Sequence, residues 1–178
     1  MTRKGQWIQV SSGIQFWPLD PRPEEILLED IAHALSNMCR FGGHVPAGFY
    51  SVAQHSVLMT NNVAPEFKVA ALLHDATEAY LVDVPRPIKP VLTNYHEIEE
   101  NLARVIGKRF GVSLVPLPPE VVEADERMLM TEKRDLLKPA PVPWSSKYEP
   151  YEHFKVEPWS CSAAKYLFLE RARELGIK

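Results

Sequence analysis

The chain has 178 residues, of which 46% are hydrophobic and 24% charged. This balance is typical of a globular protein that is large enough to form its own core. The formal net charge of −3 disfavours binding to long nucleic acids, which relies on a basic surface, and therefore disfavours a DNA-binding regulator. No apolar run is long enough for a transmembrane helix, and no apolar segment follows the charged N-terminus as in a signal peptide. We therefore expect a cytoplasmic protein without membrane contact.

The N-terminal segment, residues 1–22, is expected to form a small β-hairpin. Apolar and polar residues alternate over residues 7–10 and 13–17, and a Ser-Ser-Gly sequence separates the two runs. Alternation with a period of two is typical of strands. An isolated hairpin is only marginally stable, so we expect it to pack against the rest of the chain.

Helical periodicity dominates the remaining sequence. Helices are predicted from residue 23, over 49–62, from about 66 to 80, over 94–110, from 118 or 119 to 137, and over 160–175. Five prolines between positions 139 and 158 predict a long surface loop over residues 139–159. The chain is therefore predicted to be a single all-α domain over residues 1–178, a bundle of five to six helices with the small N-terminal hairpin.

The most informative residues are His74 and Asp75, in the middle of the predicted third helix. Adjacent residues of a helix point about 100° apart, so the imidazole and the carboxylate can approach one metal ion from neighbouring directions. Glu78 lies on the same face. A carboxylate beside the apolar Leu72 and Leu73 is costly to bury unless a cation accompanies it.

Two further candidate ligands, His55 and Asp125, lie on separate predicted helices among small or apolar neighbours. Two imidazole nitrogens and two carboxylate oxygens form a mixed set that suits Zn²⁺, Mn²⁺, Co²⁺ or Fe²⁺ better than Ca²⁺. Asp83 follows the third helix, just before a proline-rich stop. Glu132 and Arg134, further along the helix of Asp125, are expected to form structural ion pairs.

Three segments, residues 50–56, 71–80 and 124–129, resemble the H…HD…D signature of the HD phosphohydrolases. The resemblance extends from about residue 30 to 137. It is closest to the bacterial 5′-deoxynucleotidase branch and its phage or prophage relatives, in which a His-Asp-Ala-Ser/Thr-Glu run precedes an Asp-x-Pro segment. The matching runs here are residues 74–78 and 83–85. The order and spacing of the three parts are specific, whereas no single part is.

The resemblance implies an HD-domain fold and one divalent metal ion (Mn, Co, Zn, Fe or Mg) held by His55, His74, Asp75 and Asp125. It implies a role near the substrate for Glu78 and Asp83, one of which would handle the proton of the leaving oxygen. In the deoxynucleotidase branch an Arg-Trp pair fifteen residues before the first motif His contacts the substrate. Arg40 and Phe41 occupy those positions here, so the arginine matches while the aromatic residue differs. A homodimer is also suggested by the resemblance.

The predicted function is hydrolysis of deoxynucleoside 5′-monophosphates to nucleoside and phosphate, with a small nucleotide as the substrate. His44 and Lys89 are further candidates for contact with the substrate, because they lie in loops next to the motif residues. Two alternatives remain. One is hydrolysis of nucleoside triphosphates or signalling nucleotides, and the other is a non-catalytic module that binds metal or nucleotide.

Overall fold

The computed structural model describes residues 2–178. Its first element is a two-stranded antiparallel hairpin, formed by β1 (Ile8–Gln9) and β2 (Gln15–Phe16). Ile8 lies opposite Phe16, and Gln9 lies opposite Gln15. The hairpin predicted for the N-terminal segment is thus present, with shorter strands than the alternation indicates.

The hairpin is attached to the helices at its turn and along β2. The buried Asp30 carboxylate accepts hydrogen bonds from the Ser11 hydroxyl and the Ser12 amide, both at 2.7 Å. The fully buried Phe16 ring stacks on Tyr80, with the ring centroids 4.0 Å apart. Tertiary contacts of this kind stabilise a hairpin that is too short to persist alone.

Helices form the rest of the regular structure. Over residues 2–178 they are α1 (Leu28–Asn37), α2 (Val52–Met59), α3 (Lys68–Leu73), α4 (Glu78–Leu81), α5 (Tyr95–Phe110), α6 (Pro119–Leu136) and α7 (Cys161–Glu174). The predicted all-helical bundle with an N-terminal hairpin is confirmed, with the predicted third helix divided into α3 and α4.

The predicted third helix is interrupted at the residues of greatest chemical interest. α3 ends at Leu73, and residues 74–77 form a turn before α4. The amide of Ala76 donates to the carbonyl of Leu73, and the amide of Glu78 to that of Asp75, each at 3.0 Å and three residues back. This tighter winding rotates each side chain further than an α-helix does. His74 therefore lies at the end of a helix, and the prediction of a position in mid-helix was wrong.

Helix ends follow local capping chemistry. The side chains of Ser51 and Ser160 accept hydrogen bonds from the amides of Gln54 and Ala163 at the starts of α2 and α7. Gly111 ends α5 in the left-handed conformation, directly after the predicted helix end at residue 110. Because Ser51 is the cap, α2 begins three residues later than the predicted start at residue 49.

The core lies where α7 packs across α1 and α2, and where α2 packs on α3 and α6. Its largest fully buried side chains include Ile31, Leu35, Leu72, Met128 and Phe168. This packing holds the polar side chains of α2, of the 74–77 turn and of α6 at one side of the bundle.

The proline-rich segment has no helix or strand between α6 and α7, but it is not only a surface loop. Tyr151 and Val156 are buried in the core. The amide of Tyr151 donates to Thr131 Oγ1 at 2.9 Å, and the amide of Val156 donates to Asp135 Oδ2 at 2.7 Å. These anchors fold the predicted surface loop onto α6 and bury part of it.

Among residues 2–178, no helix combines the length and the apolar character required to cross a bilayer.

Replacing Phe168 by Ala is expected to lower the free energy of unfolding by about 3–5 kcal/mol, because it leaves a cavity where α7 meets the bundle. The matched control is Tyr166→Ala in the same helix, where the side chain is 61% exposed and the change should stay within about 0.5 kcal/mol. Urea unfolding of both variants measures the difference. Equal losses would show that α7 does not contribute to the core as described.

Candidate metal centre and active site

Four side chains from three separate stretches of chain converge at one side of the bundle. His55 lies on α2, His74 and Asp75 lie on the turn between α3 and α4, and Asp125 lies on α6. The Nε2 atoms of the two histidines are 3.3 Å apart. Asp125 Oδ1 lies 3.1 Å from His55 Nε2 and 3.9 Å from His74 Nε2. Asp75 Oδ2 lies 3.1 Å from His74 Nε2 and 3.8 Å from His55 Nε2.

The other ring nitrogen of each histidine is already engaged. His74 Nδ1 lies 2.9 Å from the carbonyl oxygen of Ala71, and His55 Nδ1 lies 2.5 Å from Glu132 Oε1. Each partner is a hydrogen-bond acceptor, so each Nδ1 carries the proton. This arrangement fixes the ring orientations and directs both Nε2 atoms at the shared centre, as is usual for histidines that bind metals.

The spacing of these atoms suits a single cation. Four ligands about 2.0–2.1 Å from a tetrahedral ion lie about 3.4 Å from one another, close to the separations of 3.1–3.9 Å observed here. Ligand atoms of His55, His74 and Asp125 all lie within 4.8 Å of one another, so this cluster could hold a metal ion. Asp75 Oδ2 lies near both histidine Nε2 atoms, although Asp75 is not part of that three-residue cluster. His55, His74 and Asp125 therefore form a donor set that fits a metal ion.

Charged groups around the centre shift the pKa values of its residues in the direction opposite to that caused by burial. Burial would raise the pKa of Asp75, but His74, His55 and Arg40 hold it below its ordinary value. Burial likewise opposes ionisation of Asp125, yet the two histidines lower its pKa to about 2. Burial and Arg40 lower the pKa of His55, while Glu132 and Asp125 raise it to about 9. The carboxylates are thus ready as ligands, and a cation would displace a proton from His55.

Glu132 connects the centre to a buried arginine. Its side chain is fully buried on α6, and its Oε1 atom accepts from the Tyr50 hydroxyl at 2.7 Å as well as from His55. Its Oε2 atom accepts from Nε of Arg40 at 3.2 Å and lies 3.1 Å from Arg40 Nη2. Burial would raise the pKa of Glu132, but Arg40 and His55 hold it below its ordinary value.

Arg40 also reaches the ligand set itself. Its Nη1 atom lies 3.4 Å from Asp75 Oδ2, and its side chain is 13% exposed. Phe41, the next residue, has φ 55° and ψ 29°, a left-handed conformation that is uncommon outside glycine. The Arg40 guanidinium carbon lies 5.6 Å from the centre of the Phe41 ring. The turn thus directs the side chains of Arg40 and Phe41 toward the same cavity.

Two further carboxylates stand beside the centre in different surroundings. Glu78 is 5% exposed, and its Oε2 atom has no hydrogen-bond partner among residues 2–178. Burial, followed by the charges of Asp75 and Asp83, raises the pKa of Glu78 well above its ordinary value. Burial also raises the pKa of Asp83, which is only half-buried. Glu78 is therefore a buried carboxylic acid with an unused polar atom.

Strained backbone separates these two carboxylates. Val82, between α4 and Asp83, has φ 67° and ψ 159°, a combination that costs a β-branched residue about 1–3 kcal/mol. The Val82 amide donates to the carbonyl of Glu78 at 2.9 Å and closes the end of α4. The chain therefore turns sharply, and Asp83 lines the same cavity as Glu78.

A cavity of about 1000 Å³ opens over the centre. Eight of the ten predicted site residues line it, namely Arg40, Phe41, His44, Asp75, Glu78, Asp83, Lys89 and Asp125. The other two are the buried histidines His55 and His74. Lys89 is partly engaged, because its Nζ atom lies 2.9 Å from Glu99 Oε1.

Sequence reasoning missed several residues of this site. Glu132 was expected to form a structural ion pair, and it does so with Arg40, but it also orients the candidate ligand His55. Glu132 follows Asp125 by seven residues, two turns along α6, so both side chains lie on one face of the helix. This spacing is the sequence signal that could have linked Glu132 to the site. Trp144 and Lys138 also line the cavity, and no motif marks them.

Comparison with known proteins found relatives but no activity. The uncharacterized protein YfdR of Escherichia coli (strain K12) is 41% identical over 172 residues, which cover 96% of each chain. The uncharacterized protein RCAP_rcc00048 of Rhodobacter capsulatus is 35% identical over 125 residues, covering 65% of this chain and 64% of that protein. No protein-family model matches the chain.

Replacing Glu132 by Gln is expected to weaken Mn²⁺ binding by about tenfold to a hundredfold, because His55 loses the charged acceptor that orients it. Glu123→Gln, an exposed position on the same helix, is the matched control and should bind Mn²⁺ normally. Calorimetric titration of both variants, after circular dichroism has shown that they are folded, measures the effect. Unchanged affinity in Glu132→Gln would contradict a role for Glu132 in orienting His55.

Proposed function

The chain belongs to the same family as YfdR of Escherichia coli, and from the geometry of its site we propose that it is a divalent-metal-dependent phosphohydrolase. Its favoured substrates are deoxynucleoside 5′-monophosphates, which it cleaves to nucleoside and phosphate. The proposal extends to the HD phosphohydrolase superfamily, because the histidine and aspartate residues that resemble its signature are the ones that meet at the centre.

One observation carries this proposal. Two imidazole nitrogens and two carboxylates meet at one point, and Arg40 lies within 3.4 Å of one of those carboxylates. A divalent cation bound there would supply Lewis acidity and a water of lowered pKa. His55, His74, Asp75 and Asp125 would hold it. A structural metal needs no adjoining cavity of this size, whereas a catalytic one needs access for a substrate.

The charges of the cavity support an anionic substrate once the cation is present. Four cationic side chains and five carboxylates line the cavity, and they nearly cancel. A divalent cation would make the sum positive, which favours a phosphate. Arg40 is the cation nearest the ligands, and its planar guanidinium suits phosphate oxygens. Glu132 holds that guanidinium in place from behind.

Glu78 is the candidate general acid. Hydrolysis adds a water oxygen to phosphorus and breaks the bond between phosphorus and the 5′ oxygen, which must gain a proton to leave as a hydroxyl. Glu78 lines the cavity, its buried Oε2 atom has no hydrogen-bond partner among residues 2–178, and burial raises its pKa, which favours the protonated form that a general acid requires. Asp83 is less buried and would assist in binding or in proton exchange with water.

Pairing of two outer cations, Arg86 and Lys89, argues against a triphosphate as the substrate. Arg86 lies 2.6 Å from Glu126 and 3.8 Å from Asp125, and Lys89 lies 2.9 Å from Glu99. Cations that are already neutralised offer less to extra phosphate groups. A monophosphate needs only the bound cation and Arg40.

The direct test is a panel of nucleotides incubated with purified protein and Mn²⁺, Co²⁺ or Mg²⁺, with product analysis. We expect inorganic phosphate and deoxynucleoside from deoxynucleoside 5′-monophosphates. Pyrophosphate or triphosphate as the product would contradict the proposed substrate class. Absence of any hydrolysis with every metal would support a non-catalytic module instead.

Replacing His74 by Ala is expected to abolish both the bound metal and phosphate release, because one ligand is lost from the centre. His96→Ala is the control, since that side chain is 84% exposed on α5, and it should retain both. Elemental analysis and a phosphate assay on the same samples measure the two effects. Phosphate release by metal-depleted His74→Ala protein would exclude the scheme.

Replacing Glu78 by Gln is expected to lower kcat by about 10²- to 10⁴-fold, because the proton donor is removed. It should also stabilise the metal-free protein, since the pKa of Glu78 in the folded state lies above its ordinary value of 4.5. Such a group contributes most stability below pH 4.5 and loses that contribution as the pH rises through its folded-state pKa.

The thermal midpoint of Glu78→Gln should therefore exceed that of the unaltered protein at pH 8, and by a larger margin than at pH 5. Thermal denaturation of both proteins in the presence of a chelator measures this difference. A margin that shrinks as the pH rises would show that Glu78 is not a destabilised carboxyl group.

A further inference from the structure

Trp144 stands on the wall of the cavity that opens over the candidate metal centre. It lies in the proline-rich loop and is 38% exposed. The ammonium nitrogen of Lys133, on α6, lies 5.1 Å from the centre of the indole ring, a cation–π contact that keeps the ring against the helix. A large aromatic side chain left accessible in a cavity is a binding feature that the proposed chemistry does not require.

The loop around Trp144 is held in place. The Ser146 amide donates to the carbonyl of Trp144 at 3.1 Å, and the Tyr148 amide donates to Ser146 Oγ at 3.2 Å. A few residues later, Tyr151 and Val156 enter the core. The indole is thus presented from an anchored segment, so little ordering is needed when a ligand binds.

The indole and the centre adjoin α6 at different positions along its length. Lys133, whose ammonium nitrogen lies over the indole, follows Asp125 by eight residues, which corresponds to about 12 Å along the helix axis. The wall between them includes Leu129 and Met130, which are apolar. A nucleoside monophosphate has comparable reach, with an anionic group at one end and a flat, weakly polar base at the other. Phe41, the other aromatic residue on the wall, adjoins Arg40 and lies at the phosphate end.

We propose that Trp144 is the stacking surface for the base of the nucleotide substrate. The inference rests on the proposed function, since it assumes that the phosphate lies at the metal centre. Every base has a π face, so stacking on an aromatic ring favours nucleotides over other phosphoesters without strong preference among bases. Trp144 therefore selects phosphoesters that carry a base, while Arg40 and the metal act on the phosphate.

The test compares dAMP with 2-deoxyribose 5-phosphate, which has the same phosphate and sugar but no base, using the full-length protein loaded with Mn²⁺. Trp144→Ala should raise KM for dAMP by about tenfold to a hundredfold, with kcat within a factor of about two. For 2-deoxyribose 5-phosphate the same change should leave kcat/KM nearly unaltered. Trp144→Phe should restore most of the affinity for dAMP, since a smaller π face remains.

Trp7→Ala is the matched control, because Trp7 is 44% exposed and lies before β1, outside the cavity lining; it should behave as the unaltered protein with both substrates. An equal loss with both substrates in Trp144→Ala would show a structural role, and no change with dAMP would exclude stacking. Either result overturns the inference.

A binding measurement separates this inference from the proposed function. The phosphonate analogue of dAMP, in which a methylene group replaces the 5′ oxygen, cannot be hydrolysed and is titrated calorimetrically into the Mn²⁺-loaded protein. Weaker binding in Trp144→Ala supports the inference even if no phosphate is ever released. Unchanged binding overturns it even if the protein proves to be an efficient phosphatase.

Discussion

The buried carboxylate of Glu132 is the interaction on which the candidate site depends. It accepts from His55 on α2, from Tyr50 just before α2, and from Arg40 in the turn after α1. A fully buried carboxylate is costly unless it is paired and hydrogen-bonded, and these three donors meet that requirement. The same contacts direct the free nitrogen of His55 at the centre and hold Arg40 beside it. The hydrogen bonds that stabilise the buried Glu132 carboxylate therefore also position His55 and Arg40 in the site.

Burial and neighbouring charges shift the pKa values of the carboxyl groups at the site in opposite directions. Histidines hold the pKa values of Asp75 and Asp125 below their ordinary range, whereas burial and the charges of Asp75 and Asp83 raise the pKa of Glu78, whose Oε2 atom has no hydrogen-bond partner among residues 2–178. Such divergence separates groups suited to hold a cation from a group suited to deliver a proton. The turn at residues 74–77 and the strained backbone at Val82 produce this arrangement, and both depart from regular helix geometry. These two local costs lie at the candidate site.

Much of the fold could be predicted because it depends on local signals. Periodicity located the helices, and alternation located the hairpin. The break after Leu73 was missed because Leu72, Leu73 and Ala76 keep a helical apolar pattern through it. The contact of Glu132 with Arg40 joins residues 92 positions apart, and no periodicity links them. Trp144 was missed for the same reason, since its place in the cavity depends on how Tyr151 and Val156 anchor a loop without regular structure.

The central claim is that four donor atoms from α2, α6 and the turn between α3 and α4 surround one divalent cation. Anomalous diffraction from crystals grown with Mn²⁺ tests it most directly. We expect one anomalous peak per chain, within coordination distance of His55, His74, Asp75 and Asp125. A map without a peak among these side chains, or with Mn²⁺ bound only elsewhere on the chain, would contradict the account.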